Sequence, residues 1–252
     1  MAHVTSRDGT RIAYERVGAG RPVVLVDAAG HFRANSSLGE LADLLAPDFT
    51  VYRYDRRGRG ESTDTPPYAP AREVEDLGAL LDEAGAPAGV YGYSSGCLVG
   101  LHAAAAGLSV RRLVLLEPSL DPAADSTEQR AFTSRLQALA GAEAVELFLT
   151  SIGVPADMLP GMRGTPHWDA MVSVAHTLAY DSALSEATDT NVLDRVLTPT
   201  LVIDSVSTSA DLAGMAATAA DLLPNAVHRS LPGEWHSVPA TVLAPVVADF
   251  LR

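Results

Sequence analysis

Gly92-Tyr93-Ser94-Ser95-Gly96 is the stretch on which the reading of this chain turns. It spells G-x-S-x-G, a pattern common by chance, and its flanks give it meaning. Gly89-Val90-Tyr91 before it suits a short buried strand. Cys97-Leu98-Val99-Gly100-Leu101-His102 and the four alanines from Ala103 to Ala106 after it favour a helix. A serine on such a corner is held in a strained backbone conformation, and glycines two residues to either side let neighbouring segments approach. Its hydroxyl then stands clear of the sheet, and the N–H groups opening the helix face any oxyanion formed beside it. Ser94 is therefore expected to be a nucleophile.

Outward from this corner the chain alternates strands with helices. The residues from Gly9 to Val17 read as a hairpin strand beside a preceding one. Pro22-Val23-Val24-Leu25-Val26 is a continuous apolar run ending at Asp27-Ala28-Ala29-Gly30. Helices are predicted from Leu38 to Leu45, from Glu73 to Ala84 and from about Thr241 to Leu251. Further strands are predicted at Phe49 to Tyr54, Arg112 to Leu116, Thr200 to Ile203 and Ala226 to Leu231. Fully apolar strands separated by helices imply a mostly parallel sheet covered on both faces. Between Asp121 and Asn191 no strand pattern occurs. An amphipathic helix is expected from Glu128 to Phe148, with Phe132, Leu136, Leu139 and Val145 on one side. A loop from Val154 to Pro166 and a helical stretch to Leu184 follow. The expected organisation is a core of residues 1–120 and 191–252, with residues 121–190 inserted as a helical cap.

Composition excludes several classes of function. A chain of 252 residues with 47% hydrophobic residues buries a full core. No apolar run approaches the ~20 residues of a membrane span, and the first residues carry no signal-peptide pattern. Cys97 is the only cysteine, so no intrachain disulfide forms. Together these point to the cytoplasm. A net charge of −13 argues against nucleic acid or an anionic membrane as partner. All 18 basic residues are arginine, which removes lysine Schiff-base, P-loop and Ser-Lys chemistry. No metal-ligand spacing occurs, and no cofactor is expected. A homodimer is left open.

Over nearly its whole length the chain resembles the α/β-hydrolase fold. Asp55-Arg56-Arg57-Gly58-Arg59-Gly60-Glu61-Ser62 looks like that family's D-x-R-G-x-G-x-S turn, read here as structural. The resemblance implies a triad in the order serine, acid, histidine, with two backbone N–H groups as an oxyanion hole. Those donors map to Ser95 and, in the loop after the third strand, Ala29. The late histidine maps to His236, the only histidine after His228, which itself sits in a strand and reads as structural. His102 reads as packed on its helix, and His167 and His176 fall in the cap.

The acid follows a less common pattern. After Thr200-Leu201-Val202-Ile203 most relatives carry an aspartate in a turn resembling G-x-x-D. Here Asp204 comes too early and Asp211 about three residues too late. The strand before it ends Leu115-Leu116-Glu117-Pro118, and a glutamate at that strand end is the acid position of haloalkane dehalogenases and zearalenone-type lactonases. Glu117 is thus the expected acid, with Asp204 and Asp211 as alternatives. Its task would be to fix the histidine tautomer and stabilise the imidazolium.

The closer similarity is to the zearalenone-type lactonases, through the G-x-S-S-G corner, the Glu-Pro pair and Leu231-Pro232-Gly233 shortly before His236. The chain departs from them by one extra residue before His236 and by Asp27 in the oxyanion loop, which is expected to face away from the hole. A serine at position 94 rules out haloalkane dehalogenase and epoxide hydrolase chemistry, both of which need an aspartate there. The resemblance implies hydrolysis of a medium-to-large hydrophobic ester or lactone. Trp168, Met158, Met162 and His31 are the expected substrate contacts, and Met171 and Tyr180 are further cap side chains. The alternatives are a biosynthetic enzyme of the same fold (cyclase, C–C hydrolase or thioesterase) on a polyketide-like compound, and a low-turnover ligand-binding relative. Perhydrolase activity would be a side reaction.

Overall fold

The computed structural model describes residues 2–122 and 125–252. Eight strands form one sheet: β1 (Ala2–Thr5), β2 (Arg11–Val17), β3 (Arg21–Val26), β4 (Phe49–Tyr54), β5 (Ala88–Tyr93), β6 (Val110–Leu116), β7 (Thr200–Ser205) and β8 (Ala226–Leu231). Their order is β1-β2-β4-β3-β5-β6-β7-β8. β1 and β2 pair antiparallel, β2 meets β4 antiparallel, and the other neighbours are parallel.

The period-2 geometry of a strand explains the apolar runs in the central strands. In β3, Val24 and Val26 face one hydrophobic cluster while Val23 and Leu25 face the other. In β6, Leu113 and Leu115 join the first cluster, Val114 and Leu116 the second. The first cluster is closed by Leu77 and Leu80 of α2 (Pro70–Ala84) and by Leu98 and Leu101 of α3 (Ser95–Ala105). Leu41 and Leu45 of α1 (Leu38–Leu45) close the second, with Val247 and Leu251 of the C-terminal helix Ala240–Leu251. Each such buried aliphatic side chain contributes roughly 1.5–3 kcal/mol. α2 begins three residues before the expected Glu73 because Pro70 sits in its first turn, where a missing N–H costs nothing.

Helices fill the stretch between β6 and β7. The single helix expected from Glu128 to Phe148 is two: α4 (Ser126–Ala138) and α5 (Gly141–Ser151). Leu139 and Ala140 are extended and Gly141 has φ +54°, so the helix ends and restarts there. The break lets Leu136 of α4 and Val145 of α5 enter one cluster from different directions. The expected loop from Val154 to Pro166 contains the one-turn α6 (Leu159–Met162). α7 (Pro166–Ser173), α8 (Leu178–Glu186) and α9 (Thr190–Asp194) complete the segment. Leu178, Met171 and Ala29 belong to this third cluster, so the helical layer packs on the loop that follows β3.

In the sheet order, β4 lies on one side of β3 and β5 on the other. Where a parallel sheet reverses direction in this way, the loops leaving the two central strands part and open a crevice at their C-terminal ends. The loop after β3 carries Ala29, and the turn after β5 carries Ser94.

Candidate active site

Three non-glycine residues hold positive φ among the described residues: Ser94 (52°), Glu117 (45°) and His236 (53°). Each follows the C-terminal end of a different parallel strand. Backbone strain of this kind costs on the order of 1–3 kcal/mol per residue and persists only where the surroundings enforce it. At Ser94 they do. Its N–H donates to Leu116 O at 2.9 Å, and ψ of −120° turns the chain directly into α3. Gly96 is required because a Cβ there would lie 2.3 Å from Val26 O.

Glu117 leaves β6 with its N–H still in the ladder, donating to Ile203 O at 2.8 Å. Its side chain is fully buried. Oε2 lies 2.6 Å from His236 Nδ1 and accepts from Thr208 Oγ1 at 3.1 Å, and Oε1 accepts from the Ser205 N–H at 2.9 Å. Burial pushes this carboxyl up, but the bonds from His236 and Ser205, the charge of His236 and the Thr208 hydroxyl outweigh it and hold the group below the usual range. An ionised carboxylate only accepts, so His236 Nδ1 carries the proton and Nε2 is left as the base. Tyr93 fixes the histidine from the other side, its hydroxyl donating to His236 O at 2.6 Å.

The other carboxylates considered from sequence lie elsewhere. Asp204 sits within β7 at 3.2 Å from His228 Nε2, and Asp211 is exposed in the first turn of the helix Ala210–Leu222. Asp27 bonds the Ala28 N–H at 2.9 Å and does not line the cavity beside Ser94.

That cavity has a volume of about 540 Å³. Ser94, His236, Ala29 and Ser95 line it, and Phe132, Phe148, Leu149, Ile152 and Met171 give it apolar walls. Met162 and His31 also line it. Trp168 and Met158 do not. Trp168 is 5% exposed, its ring consumed by the core of the helical layer, whereas Met158 is 57% exposed on the outside. His31 holds Nδ1 2.9 Å from Ala29 O, and its ring lies 5.3 Å from that of His167.

The arginine-rich turn after β4 is buried. Arg57 pairs with Asp76 at 2.7 Å and Asp8 at 3.0 Å. Arg56 grips Glu73 through two bonds of 2.7 and 2.6 Å, and both Arg56 and Arg59 reach Asp181 of α8. No group of three or more His, Cys, Asp or Glu side chains suited to a metal ion occurs among the described residues.

Residues 18–248 match the model of the alpha/beta hydrolase family. The chain belongs to that family. An alpha/beta hydrolase from Sphaerobacter thermophilus is 41% identical over the whole of both chains, with a TM-score of 0.87. A hydrolase from Pseudomonas aeruginosa is 25% identical over 99% of this chain and 97% of its own, with a TM-score of 0.81. An enol-lactonase from Burkholderia xenovorans shares the fold at 20% identity, with 99% of each chain covered and a TM-score of 0.70. No curated protein matches. Among the described residues of this hydrolase, no helix is long and apolar enough to cross a membrane.

Sequence reasoning missed Thr208, Ser205 and Tyr93 around the Glu117–His236 pair, and Asp181 beneath Ser95. Tyr93 fills a variable position of the G-x-S-x-G corner, and the other three lie in no motif. The one available signal was Ser-rich composition after β7, where Ser205-Val206-Ser207-Thr208-Ser209 offers hydrogen-bond donors to a carboxylate on the neighbouring strand.

Proposed function

We propose that this hydrolase cleaves carboxylic esters or lactones of medium-sized hydrophobic substrates through an acyl-enzyme on Ser94. The observation that carries this reading is the coincidence of strain and contact. The three strained non-glycine residues are a serine, a glutamate and a histidine, and the last two are hydrogen-bonded at 2.6 Å.

In the proposed cycle Ser94 Oγ attacks the carbonyl carbon while His236 Nε2 takes its proton. The oxygen, now negative, is held by the N–H groups of Ala29 and Ser95. Collapse of the tetrahedral intermediate breaks the bond to the alkoxide, which leaves with the proton from His236. Water, deprotonated by the same nitrogen, then releases the acid. Glu117 holds the ring and balances its charge throughout. The helical layer acts as a cap. Its apolar wall and the ~540 Å³ volume suit acyl chains or lactone rings of moderate size. The pattern shared with zearalenone-type lactonases is the reason to include macrolactones in a substrate panel.

The test is a panel of p-nitrophenyl esters and lactones with wild type and Ser94→Ala. Hydrolysis by the wild type and a fall of about 10⁵- to 10⁶-fold in the variant are expected. A folded wild type that cleaves neither class would overturn the proposal.

A further inference from the structure

Asp181 lies on α8, in the helical layer, yet its partners belong to the site. Oδ1 accepts from Ser95 Oγ at 2.7 Å and from Arg56 Nη1 at 2.7 Å, and Oδ2 accepts from Arg59 Nη2 at 2.6 Å. The same two guanidinium groups hold the loop after β3. Arg56 Nη1 reaches Asp27 O at 3.2 Å, and Arg59 Nη1 reaches Ala28 O at 2.7 Å and His31 O at 3.3 Å. Asp181, Arg56, Arg59 and Ser95 are each at most 4% exposed. In this cluster two arginines face Asp181 and Glu73.

We infer that Asp181 is a positioning residue for the oxyanion site, through which the helical layer sets both N–H donors at once. This rests on the reading of Ala29 and Ser95 as those donors. One donor is set through the Ser95 hydroxyl, in the residue whose N–H opens α3. The other is set through the carbonyls on either side of Ala29, which the Asp181-bound arginines hold. An anchor that only fastened the layer to the sheet would need neither link. A carboxylate lining the same cavity as a developing oxyanion also opposes it. Burial pushes Asp181 up, but Arg56 and Arg59 with the Ser95 hydroxyl hold it ionised, and their two positive charges offset its field. Undocking of α8 would release both donors together, so the site is assembled only with the layer in place.

The experiment compares wild type, Asp181→Asn and Ser95→Ala, the last of which removes the hydroxyl link and keeps the N–H. The measurements are kcat and KM on a p-nitrophenyl ester, inhibition by an alkylboronic acid that forms a tetrahedral adduct on Ser94, and Tm. For Asp181→Asn the expectation is a kcat lower by about 10- to 100-fold, KM within about threefold, and boronate affinity falling in step with kcat/KM. For Ser95→Ala a smaller fall of the same kind, about three- to tenfold, is expected. Lower Tm with kcat and boronate affinity at wild-type values would show mere anchoring and overturn the inference. So would a rise in kcat in Asp181→Asn, the sign expected if only the field of the carboxylate mattered. If Asp181→Asn does not fold, Ser95→Ala decides alone, and an unchanged boronate affinity there refutes the positioning role. A wild type that neither turns over esters nor takes up the boronate would instead bring down the hydrolase reading, and this inference with it.

Discussion

Replacing Glu117 by glutamine tests the geometry beneath His236 with a change of only one atom and one charge. The Ser205 N–H is part of the backbone and donates to Oε1 at 2.9 Å, so the amide oxygen of a glutamine must take that position. The NH2 group then faces His236 Nδ1, which lies 2.6 Å from the present Oε2. Two donors cannot share that contact. The imidazole must move its proton to Nε2, which leaves that nitrogen unable to act as a base. The opposite amide orientation sets NH2 against the Ser205 N–H in a site with no solvent exposure, at a cost of about 1–3 kcal/mol. The first orientation is therefore the expected one, and with it kcat is expected to fall by about 10⁴-fold, equivalent to roughly 5 kcal/mol of transition-state stabilisation. The assay is steady-state ester hydrolysis at fixed pH, with a melting curve to show that the variant is folded. Activity within about tenfold of wild type in Glu117→Gln, with Asp204→Asn inactive, would refute the reasoning and move the acid to β7.

Three further outcomes are expected. Glu117 titrates below its ordinary value of 4.5 in the folded chain, so its contribution to stability is present above that value and lost as the pH falls through the lower folded one. Urea denaturation between pH 3 and 6, values spanning the ordinary glutamate range, should therefore show a steeper loss toward acid in wild type than in Glu117→Gln; parallel curves would contradict this. Trp168→Ala should cost about 3–5 kcal/mol of stability with little change in KM, while Met162→Ala, on the cavity wall, should raise KM with a smaller effect on Tm. Gly96→Ala should yield little folded protein because its Cβ would meet backbone oxygens at 2.3 and 2.7 Å, whereas Gly161→Ala, with nothing within 4 Å, should express as wild type.

The sheet was legible because the central strands are buried on both faces and so carry continuous apolar runs, as Val23 to Val26 and Leu113 to Leu116 show. β8 was legible only by its place in the chain: its middle residues are exposed. The meeting of Glu117 and His236 followed from an absence, the missing aspartate after β7, together with a charged residue ending an apolar strand. The break at Gly141 escaped because both half-helices keep the same apolar face, and a 3.6-residue period does not reveal that the axis turns. The place of Trp168 was not legible because an amphipathic aromatic suits a core as well as a cavity wall. The Asp181 cluster has no signature at all: its links to Ser95 and Arg56 span 86 and 125 residues. An aspartate on a helix then reads as solvated until its partners are known.

If Ser94 is the nucleophile, a fluorophosphonate will modify it, and intact-protein and peptide mass spectrometry reads this out. One adduct per chain is expected, located on the peptide containing Ser94, absent in Ser94→Ala and formed in parallel with loss of ester hydrolysis. Labelling of a different residue, or hydrolysis that continues undiminished once Ser94 is fully modified, would contradict it.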